Sequence, residues 1–215
     1  MNDESPSLNL SECEHCVPWY KDYAREAFRE GNGEDFAHTT DNHRSLFLVR
    51  DNLRVLKRRG IYEEALVAAF TATHSNNAGW PLPFMEFMFG EADRAKLREA
   101  GDPLPSDGPF TIYRGVSHVG HRRGRGFSWT LSLDCACWFA MRYPKDDFMP
   151  AVYVANIGND EMYCYTNQRN EQEIITRPRS CKRLKISHEE IQERAAREVE
   201  RRKTKKETLC LTKSE

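Results

Sequence analysis

The sequence lacks several features that would assign it at once to a class of protein. It has no apolar run near the roughly 20 residues that a membrane-spanning helix needs. Its first residues, MNDESPSLNL, lack the basic start and apolar stretch of a signal peptide. It also lacks an excess of either charge, with 32 Lys and Arg residues against 33 Asp and Glu residues in 215. These absences exclude a histone-like polycation, and we expect a soluble, cytoplasmic protein without a membrane partner.

A complete set of metal ligands is also missing. Cys13 and Cys16 have the spacing of half a zinc site, but no second Cys-x-x-Cys or His-x-x-x-His follows. Cys135 and Cys137 are two residues apart on a predicted helix, where they cannot share a face, so we expect them to pack in the core. No cysteine has a recognisable His and Asp partner. The sequence therefore predicts reduced thiols, no metal site and no thiol nucleophile.

The balanced total charge conceals an uneven distribution. Residues 1–40 hold nine acidic residues against three basic ones, whereas residues 182–215 hold eleven basic residues against seven acidic ones. A His-Arg-Arg-Gly-Arg-Gly stretch at 121–126 is a second basic segment. Both segments are compatible with nucleic-acid binding. The stretch is equally compatible with a flexible connection, and the C-terminal segment with a solvated helix face of mixed charge.

The first hundred residues predict a helical region. Residues 18–30 place apolar side chains at helical spacing, and Gly31 and Gly33 are expected to end that helix. The same kind of pattern predicts helices at 42–59, 61–73 and 91–100. The segment GDPLPSDGP then predicts a linker that closes the region at about residue 109.

After the linker the pattern changes to short strands. Strands are predicted at residues 110–116, 126–130, 151–157 and 171–176. One helix interrupts them and begins after Ser132, a natural N-cap, with Asp134 in its first turn. A charged helix follows from residue 187 to about 206. The second half of the chain is therefore predicted to be α+β.

Arg114 lies in the middle of the first predicted strand, within Tyr-Arg-Gly-Val. A buried arginine is costly unless it meets an anion or a carboxylate, so this position indicates a ligand-binding side chain. An arginine on an edge strand facing water explains the same pattern, and surface arginines are the commoner case.

Two further pairs of polar residues have the spacing of one strand face. Ser128 and Thr130 would point their hydroxyls to one side, where they can orient a carboxylate or a ribose, although ordinary strand alternation also explains them. Glu171 and Glu173 would place two carboxylates together beside the core. Their mutual repulsion favours a functional role, with a solvated strand end as the alternative.

In this order, the three motifs resemble those of the arginine-serine-glutamate class of mono-ADP-ribosyltransferases, the cholera-toxin-like and ecto-enzyme branch of that fold. The matching residues are Tyr113, Arg114 and Gly115 for the aromatic-Arg-Gly motif, Ser128, Trp129 and Thr130 for the Ser-Thr-Ser triplet, and Glu171, Gln172 and Glu173 for Glu-x-Glu. Trp129 departs from the middle Thr of the family.

The helix after the triplet supports this register. Ala136, Phe139 and Ala140 fall at the family's spacing when Ser128 is the first residue of the triplet. A competing register would instead begin the triplet at Thr130 and end it at Ser132. The resemblance covers about residues 110–178.

The resemblance implies a role for each matched residue. NAD would be the ADP-ribose donor, and Glu173 would stabilise the cationic transition state by binding the ribose 2′-hydroxyl. Glu171 would face the acceptor. The other NAD-binding residues would be Arg114, Gly115, Ser128 and Thr130.

The acceptor is left open by the sequence. In this family Glu-x-Glu usually accompanies arginine acceptors, which favours a protein arginine, while the two basic segments keep an RNA or DNA base in consideration. The segment 158–170 is where the family has its target-recognition loop, so Tyr163, Tyr165 and Asn167 would contact the acceptor. The two tyrosines are equally compatible with packing of the loop.

These observations give one hypothesis and two alternatives. We expect an α+β protein with an ADP-ribosyltransferase-like pair of packed mixed β-sheets, divided into a helical region (1–109), a catalytic core (110–185) and a charged helix and tail (186–215). Its biological role by resemblance is that of a toxin, an effector or a phage-conflict factor with a neutralising partner such as an antitoxin. The alternatives are an NAD glycohydrolase that uses water as acceptor and a non-catalytic nucleic-acid-binding module.

Overall fold

The computed structural model describes residues 7–73, 80–117, 126–142 and 149–211, with side chains as far as residue 205. The basic stretch at 121–126 lies outside the described residues except for Gly126. The chain divides into two compact units, residues 1–102 and 103–215, with the boundary inside the predicted linker. None of the described helices is both long enough and apolar enough to cross a membrane.

The described part of the first unit is helical, as the sequence predicts. Its α-helices are α1 (Tyr20–Glu30), α2 (Gly33–Ala37), α3 (Ser45–Asp51), α4 (Leu53–Arg59), α5 (Tyr62–Ala72), α6 (Leu82–Gly90) and α7 (Arg94–Glu99). Helix α1 ends at Gly31, whose φ of 81° is a conformation that glycine adopts without strain. Gly33 does not end that helix but begins α2, because the Asn32 side chain accepts a hydrogen bond from the Asp35 amide and caps a new helix.

The helix predicted at 42–59 is broken at Asn52. This residue is fully buried, and its side-chain amide donates to the backbone oxygens of Leu48 at 2.9 Å and of Asn9 at 2.6 Å. Such side-chain bonds compete with regular helix bonding. Because Asn9 is 43 residues away in the chain, local periodicity could not predict this break.

The second unit confirms the α+β class. Its elements are β1 (Phe110–Val116), β2 (Ser128–Thr130), α8 (Leu133–Met141), β3 (Ala151–Ile157), β4 (Met162–Thr166), β5 (Glu173–Thr176), β6 (Lys182–Arg183) and α9 (His188–Leu211). Strands β1 and β3 have the bounds that the sequence predicts, whereas β2 and β5 are shorter. Strand β4 lies where the sequence predicts a target-recognition loop.

The described strands form one sheet in the order β4-β5-β2-β1-β3-β6, with every pairing antiparallel. This differs from the expected pair of packed mixed sheets. The difference arises at β2, where Thr130 pairs with Tyr113 of β1 on one side and with Glu173 of β5 on the other. Strand β2 therefore joins β4 and β5 to β1, β3 and β6 in one sheet. The three strands that carry the motifs, β1, β2 and β5, lie side by side.

Helices α8 and α9 cover one face of this sheet. Helix α8 begins where Ser132 caps it, since the Ser132 hydroxyl accepts a hydrogen bond from the Cys135 amide at 3.1 Å. The residues of α8, α9 and β3 that form the buried cluster are Ala136, Cys137, Ala140, Val152, Ile191 and Ala195. By strand alternation, Ile112 and Trp129 belong to a second buried cluster on the opposite face.

Candidate active site

Arg114 on β1 is partly buried and contacts the neighbouring strand. Its Nη1 donates a hydrogen bond of 2.5 Å to the backbone oxygen of Ser128. Burial lowers the pKa of Arg114 to about 10, against the opposing effect of the negative charge of Glu173. The guanidinium thus stays charged at neutral pH, and this burial does not fit the alternative of an arginine that simply faces water.

The space around the Arg114 guanidinium depends on a glycine. A Cβ added at Gly126 would lie 2.3 Å from both Cζ and Nη2 of Arg114, which no real contact allows. The absence of a side chain at Gly126 therefore allows the guanidinium to occupy this position. In the sequence, Gly126 is only the last residue of the basic stretch, so its contact with Arg114 could not be predicted.

Ser128 connects Arg114 to Glu173. Its backbone oxygen accepts the hydrogen bond from Arg114, and its hydroxyl donates a hydrogen bond to Oε1 of Glu173. The strand register explains this meeting, because β2 lies between β1 and β5 and Thr130 pairs directly with Glu173. The predicted arginine, serine and second glutamate are therefore one connected cluster.

Glu173 is a buried carboxylate, with 4% of the residue exposed. Its Oε2 lies 3.4 Å from Nη2 of Arg169. Burial raises the pKa of Glu173, although Arg169, the Ser128 hydroxyl and Arg114 act in the opposite direction and Glu171 acts in the same direction. A buried carboxylate with a perturbed pKa among cations is typical of functional sites.

Glu171 lies in the turn before β5 and is also buried, with 6% of the residue exposed. Its Oε2 lies 3.1 Å from Nη2 of Arg169, and its Oε1 accepts from both terminal nitrogens of Arg202 at 3.4 Å. The strand expected from 171 begins only at Glu173, because Gln172 adopts a φ of 47° outside the strand region. The alternative of a solvated strand end is wrong, since both carboxylates are buried and both contact Arg169.

Thr130 supports the backbone of this site. Its hydroxyl donates to the backbone oxygen of Glu171 at 2.6 Å and accepts from the amide of Ser132 at 3.0 Å. The hydroxyl thus links β2, the start of α8 and the turn that carries Glu171. These bonds give Thr130 a structural function beside the NAD-binding role implied by the resemblance.

Gly115 has a packing function in the described structure. A Cβ at this position would lie 1.8 Å from the backbone oxygen of Ala136 and 2.7 Å from the amide nitrogen of Ala140. Gly115 therefore allows the backbone of α8 to lie directly on β1. This close approach accounts for the glycine without reference to a ligand.

The triplet register is distinguished by what each serine contacts. Ser128 reaches Glu173, whereas Ser132 caps α8. Trp129, which stands where the family has a threonine, is 1% exposed, and its indole nitrogen donates to the backbone oxygen of Gly126 at 2.8 Å. The tryptophan therefore packs in the core and leaves both hydroxyls of the triplet on the opposite face.

Comparisons of the chain with protein-family models, with curated proteins and with solved structures found no match. The chemistry of the site is therefore argued from the residues of this chain. A buried carboxylate oriented by a serine hydroxyl suits a ligand that carries hydroxyl groups, and the partly buried guanidinium of Arg114 suits a ligand that carries negative charge.

The predicted acceptor residues have different environments. Tyr165 is 7% exposed and belongs to the core beside the sheet, so its ring packs inside the protein. Tyr163 is partly buried and stacks on Phe127 with ring centroids 5.9 Å apart. Asn167 is exposed, and its side-chain oxygen accepts a hydrogen bond from the Gln172 amide at 3.1 Å. For Tyr165, packing is thus the correct one of the two interpretations that the sequence left open.

Sequence reasoning missed two arginines of the site, Arg169 and Arg202. Arg169 had a usable signal, because it stands two residues before Glu171 and a cation so close to paired carboxylates can neutralise them. Arg202 had none. It is one of many basic residues in α9, and only the packing of α9 on α8 brings it to Glu171.

The cysteines whose side chains the structure describes are buried or partly buried. Burial raises the pKa of Cys135 and that of Cys137 to about 12, so both thiols stay protonated at neutral pH. The sulfurs of Cys13 and Cys16 lie 3.7 and 3.8 Å from threonine hydroxyls. Within the described ranges, no group of three or more His, Cys, Asp and Glu side chains could hold a metal ion.

Proposed function

We propose that the chain is an NAD-dependent mono-ADP-ribosyltransferase of the arginine-serine-glutamate class, and that it transfers ADP-ribose from NAD to a macromolecular acceptor. One observation carries the proposal. Arg114, Ser128 and Glu173 come from three adjacent strands, and Ser128 contacts the other two. Independent surface residues with ordinary strand alternation would have no reason to form a connected cluster around a buried carboxylate.

The cluster fits the chemistry of NAD. The Arg114 guanidinium has a planar fork of donors, which suits pyrophosphate or ribose oxygens. The Glu173 carboxylate suits a ribose hydroxyl, and the hydrogen bond from Ser128 orients it. Both charged groups are already held in place by the protein, so they need little reorganisation when a ligand binds.

Glu173 would supply the main electrostatic contribution to the reaction. Cleavage of the bond between nicotinamide and ribose develops positive charge on the ribose. A fixed carboxylate in a site of low water content stabilises that charge more strongly than one in solution. Ser128 keeps the carboxylate oriented, and Arg114 and Arg169 offset part of the cost of burying it.

Nicotinamide release from NAD tests this proposal. We expect the native protein to release nicotinamide and Glu173→Gln to reduce the rate by at least about 100-fold, the loss typical of a missing electrostatic group. Glu161→Gln is the matched control, since Glu161 is the last residue of the short 3-10 helix before β4 and its carboxylate pairs with Arg179. Equal rates for the native protein and Glu173→Gln would contradict the proposal.

NAD glycohydrolase activity is the second candidate, and one observation favours it. Both carboxylate oxygens of Glu171, the residue expected to face the acceptor, are already in contact with guanidinium groups of Arg169 and Arg202. If these contacts exclude an acceptor side chain, water would take its place. The ratio of ADP-ribose transferred to nicotinamide released separates the two activities.

The non-catalytic nucleic-acid-binding alternative has less support from the described residues. In α9, Arg194 and Arg197 pair with Asp134, while Arg201 and Arg202 pair with Glu198. Much of the basic charge of the helix is therefore balanced within the chain. Strong, salt-dependent binding to RNA or DNA together with no NAD cleavage would favour this alternative.

A protein arginine is the acceptor that the family resemblance favours. Glu171 and Glu173 form a Glu-x-Glu motif, which in the family that these motifs resemble usually accompanies arginine acceptors. Incubation of separated protein and RNA fractions of a cell lysate with biotin-labelled NAD tests this choice, and we expect label in the protein fraction. Label in the RNA fraction alone would overturn it. A toxin or effector role with a neutralising partner remains a proposal that rests on the family resemblance.

A further inference from the structure

The C-terminal part of α9 holds the segment that carries Glu171. Nη2 of Arg201 donates to the backbone oxygen of Asn170 at 2.7 Å, and Nζ of Lys205 donates to the side-chain oxygen of the same asparagine. Arg202, between them, contacts Oε1 of Glu171 at 3.4 Å. Three basic side chains of one helix therefore end on two neighbouring residues of the candidate site.

The turn that they hold is not a relaxed backbone. Asn170 has a φ of 57° and Gln172 a φ of 47°, so a left-handed residue stands on each side of Glu171. Such conformations cost about 1 kcal/mol or more per non-glycine residue and persist where surrounding contacts fix them. The contacts from α9 are of this kind.

Arg202 has a position that does not depend on Glu171. Its Nε donates a hydrogen bond of 2.7 Å to Glu198, whose side chain is 1% exposed. Its guanidinium lies 3.8 Å from the centroid of the Trp138 ring, and its Nη2 lies 3.6 Å from the sulfur of Cys135. The ion pair and the cation–π contact thus fix the guanidinium between α8 and α9.

We infer that Arg202 is a positioning residue, which holds the Glu171 carboxylate in place for the acceptor and so sets the balance between transfer and hydrolysis. It acts through Glu171 and does not itself contact the reacting atoms. The contacts with Glu198 and Trp138 hold the guanidinium in one place. A side chain that opened and closed the site would have to break both contacts, so they favour a positioning function. The inference about transfer rests on the proposed function, whereas the inference about the turn does not.

Arg202→Gln tests the inference, with Arg197→Gln as the matched control. Arg197 lies on the same helix and pairs with Asp134 at 3.1 Å, away from Glu171. We expect the ratio of ADP-ribose transferred to nicotinamide released to fall roughly 10- to 100-fold in Arg202→Gln, the size of a small misplacement of a reacting group. Arg197→Gln should keep the native ratio, and Arg202→Lys should recover part of it because lysine keeps the charge.

A double variant shows whether Arg202 acts through Glu171. In a Glu171→Gln background, we expect Arg202→Gln to lower the ratio no further, because the group that it positions is already absent. Losses that multiply would overturn the inference. An unchanged or increased ratio in Arg202→Gln alone would also overturn it, and an increase would mean that Arg202 blocks the acceptor.

Amide hydrogen exchange gives a readout that needs no NAD. We expect residues 169–173 to exchange faster in Arg202→Gln than in Arg197→Gln, because only the former loses a contact with this turn. If exchange is faster in Arg202→Gln but the native protein never cleaves NAD, the result supports the positioning of the turn by Arg202 and overturns the proposed function. If exchange is equal in Arg202→Gln and Arg197→Gln while the native protein transfers ADP-ribose, the result overturns this inference and supports the proposed function.

Discussion

The hydroxyl of Ser128 donates a hydrogen bond to Oε1 of Glu173, a carboxylate that is almost completely buried. A hydrogen bond to a charged group contributes about 1.5–3 kcal/mol. If the bond orients the reacting carboxylate, its removal raises the activation barrier by a similar amount. We therefore expect Ser128→Ala to lower the rate of nicotinamide release by roughly 10- to 100-fold. Steady-state kinetics at saturating NAD would measure this loss.

Ser132→Ala is the control for that substitution and also tests the register of the triplet. Ser132 caps α8 through the Cys135 amide, and loss of an N-cap costs about 1 kcal/mol of stability. We expect a lower unfolding temperature with an unchanged rate per folded molecule. The opposite pattern, with loss of rate in Ser132→Ala and not in Ser128→Ala, would favour the competing register that begins at Thr130.

Gly126→Ala should impair activity more than stability. The added Cβ would lie 2.3 Å from the Arg114 guanidinium, and the flexible end of that side chain can move away at little cost to the fold. We expect the KM for NAD to rise about 10-fold or more, since displacement removes a charge-assisted contact. Gly90→Ala, where an added Cβ meets no atom within 4 Å, should leave the KM unchanged. An unchanged KM in both variants would contradict the proposed role of Arg114.

Glu173→Gln should stabilise the protein at neutral pH. Burial raises the pKa of Glu173, so the folded protein binds this proton more tightly than the unfolded chain does. Near neutral pH the buried charge therefore lowers the free energy of unfolding, and this cost disappears as the pH falls through the raised pKa and the carboxyl group is protonated. Glutamine removes the charge at every pH.

Denaturant unfolding of the native protein and Glu173→Gln between pH 7 and pH 4 would measure this difference. We expect the free energy of unfolding to be larger for Glu173→Gln at pH 7, with the difference shrinking toward acid pH. A variant that is less stable at pH 7 than the native protein would contradict the raised pKa. A gain in stability combined with a loss of activity is typical of a residue kept for function.

Local patterns in the sequence predicted the elements that carry the arginine and serine motifs. Alternation after the linker gave the bounds of β1, and Ser132 marked the start of α8, because strand faces and helix caps depend on neighbouring residues. Strand β4 was missed because its residues were interpreted as a recognition loop. Its strand character depends on pairing with β5, which Tyr165 and Ile174 illustrate.

The arginines around the glutamates illustrate what a sequence pattern does not contain. Arg202 reaches Glu171 from 31 residues further along the chain, because Trp138 and Glu198 fix its guanidinium between two helices. The break at Asn52 has the same origin in a distant contact. Residue types and spacing thus predicted that the two carboxylates lie close together, and tertiary packing determined which cations surround them.

Transfer of labelled ADP-ribose tests the central claim most directly. The native protein, Glu173→Gln and the control Glu161→Gln would each be incubated with labelled NAD and a lysate, and the label bound to macromolecules would be counted. We predict labelling by the native protein and by Glu161→Gln, and a loss of at least about 100-fold in Glu173→Gln. Undiminished labelling by Glu173→Gln would contradict the claim that the carboxylate held by Ser128 is the catalytic group.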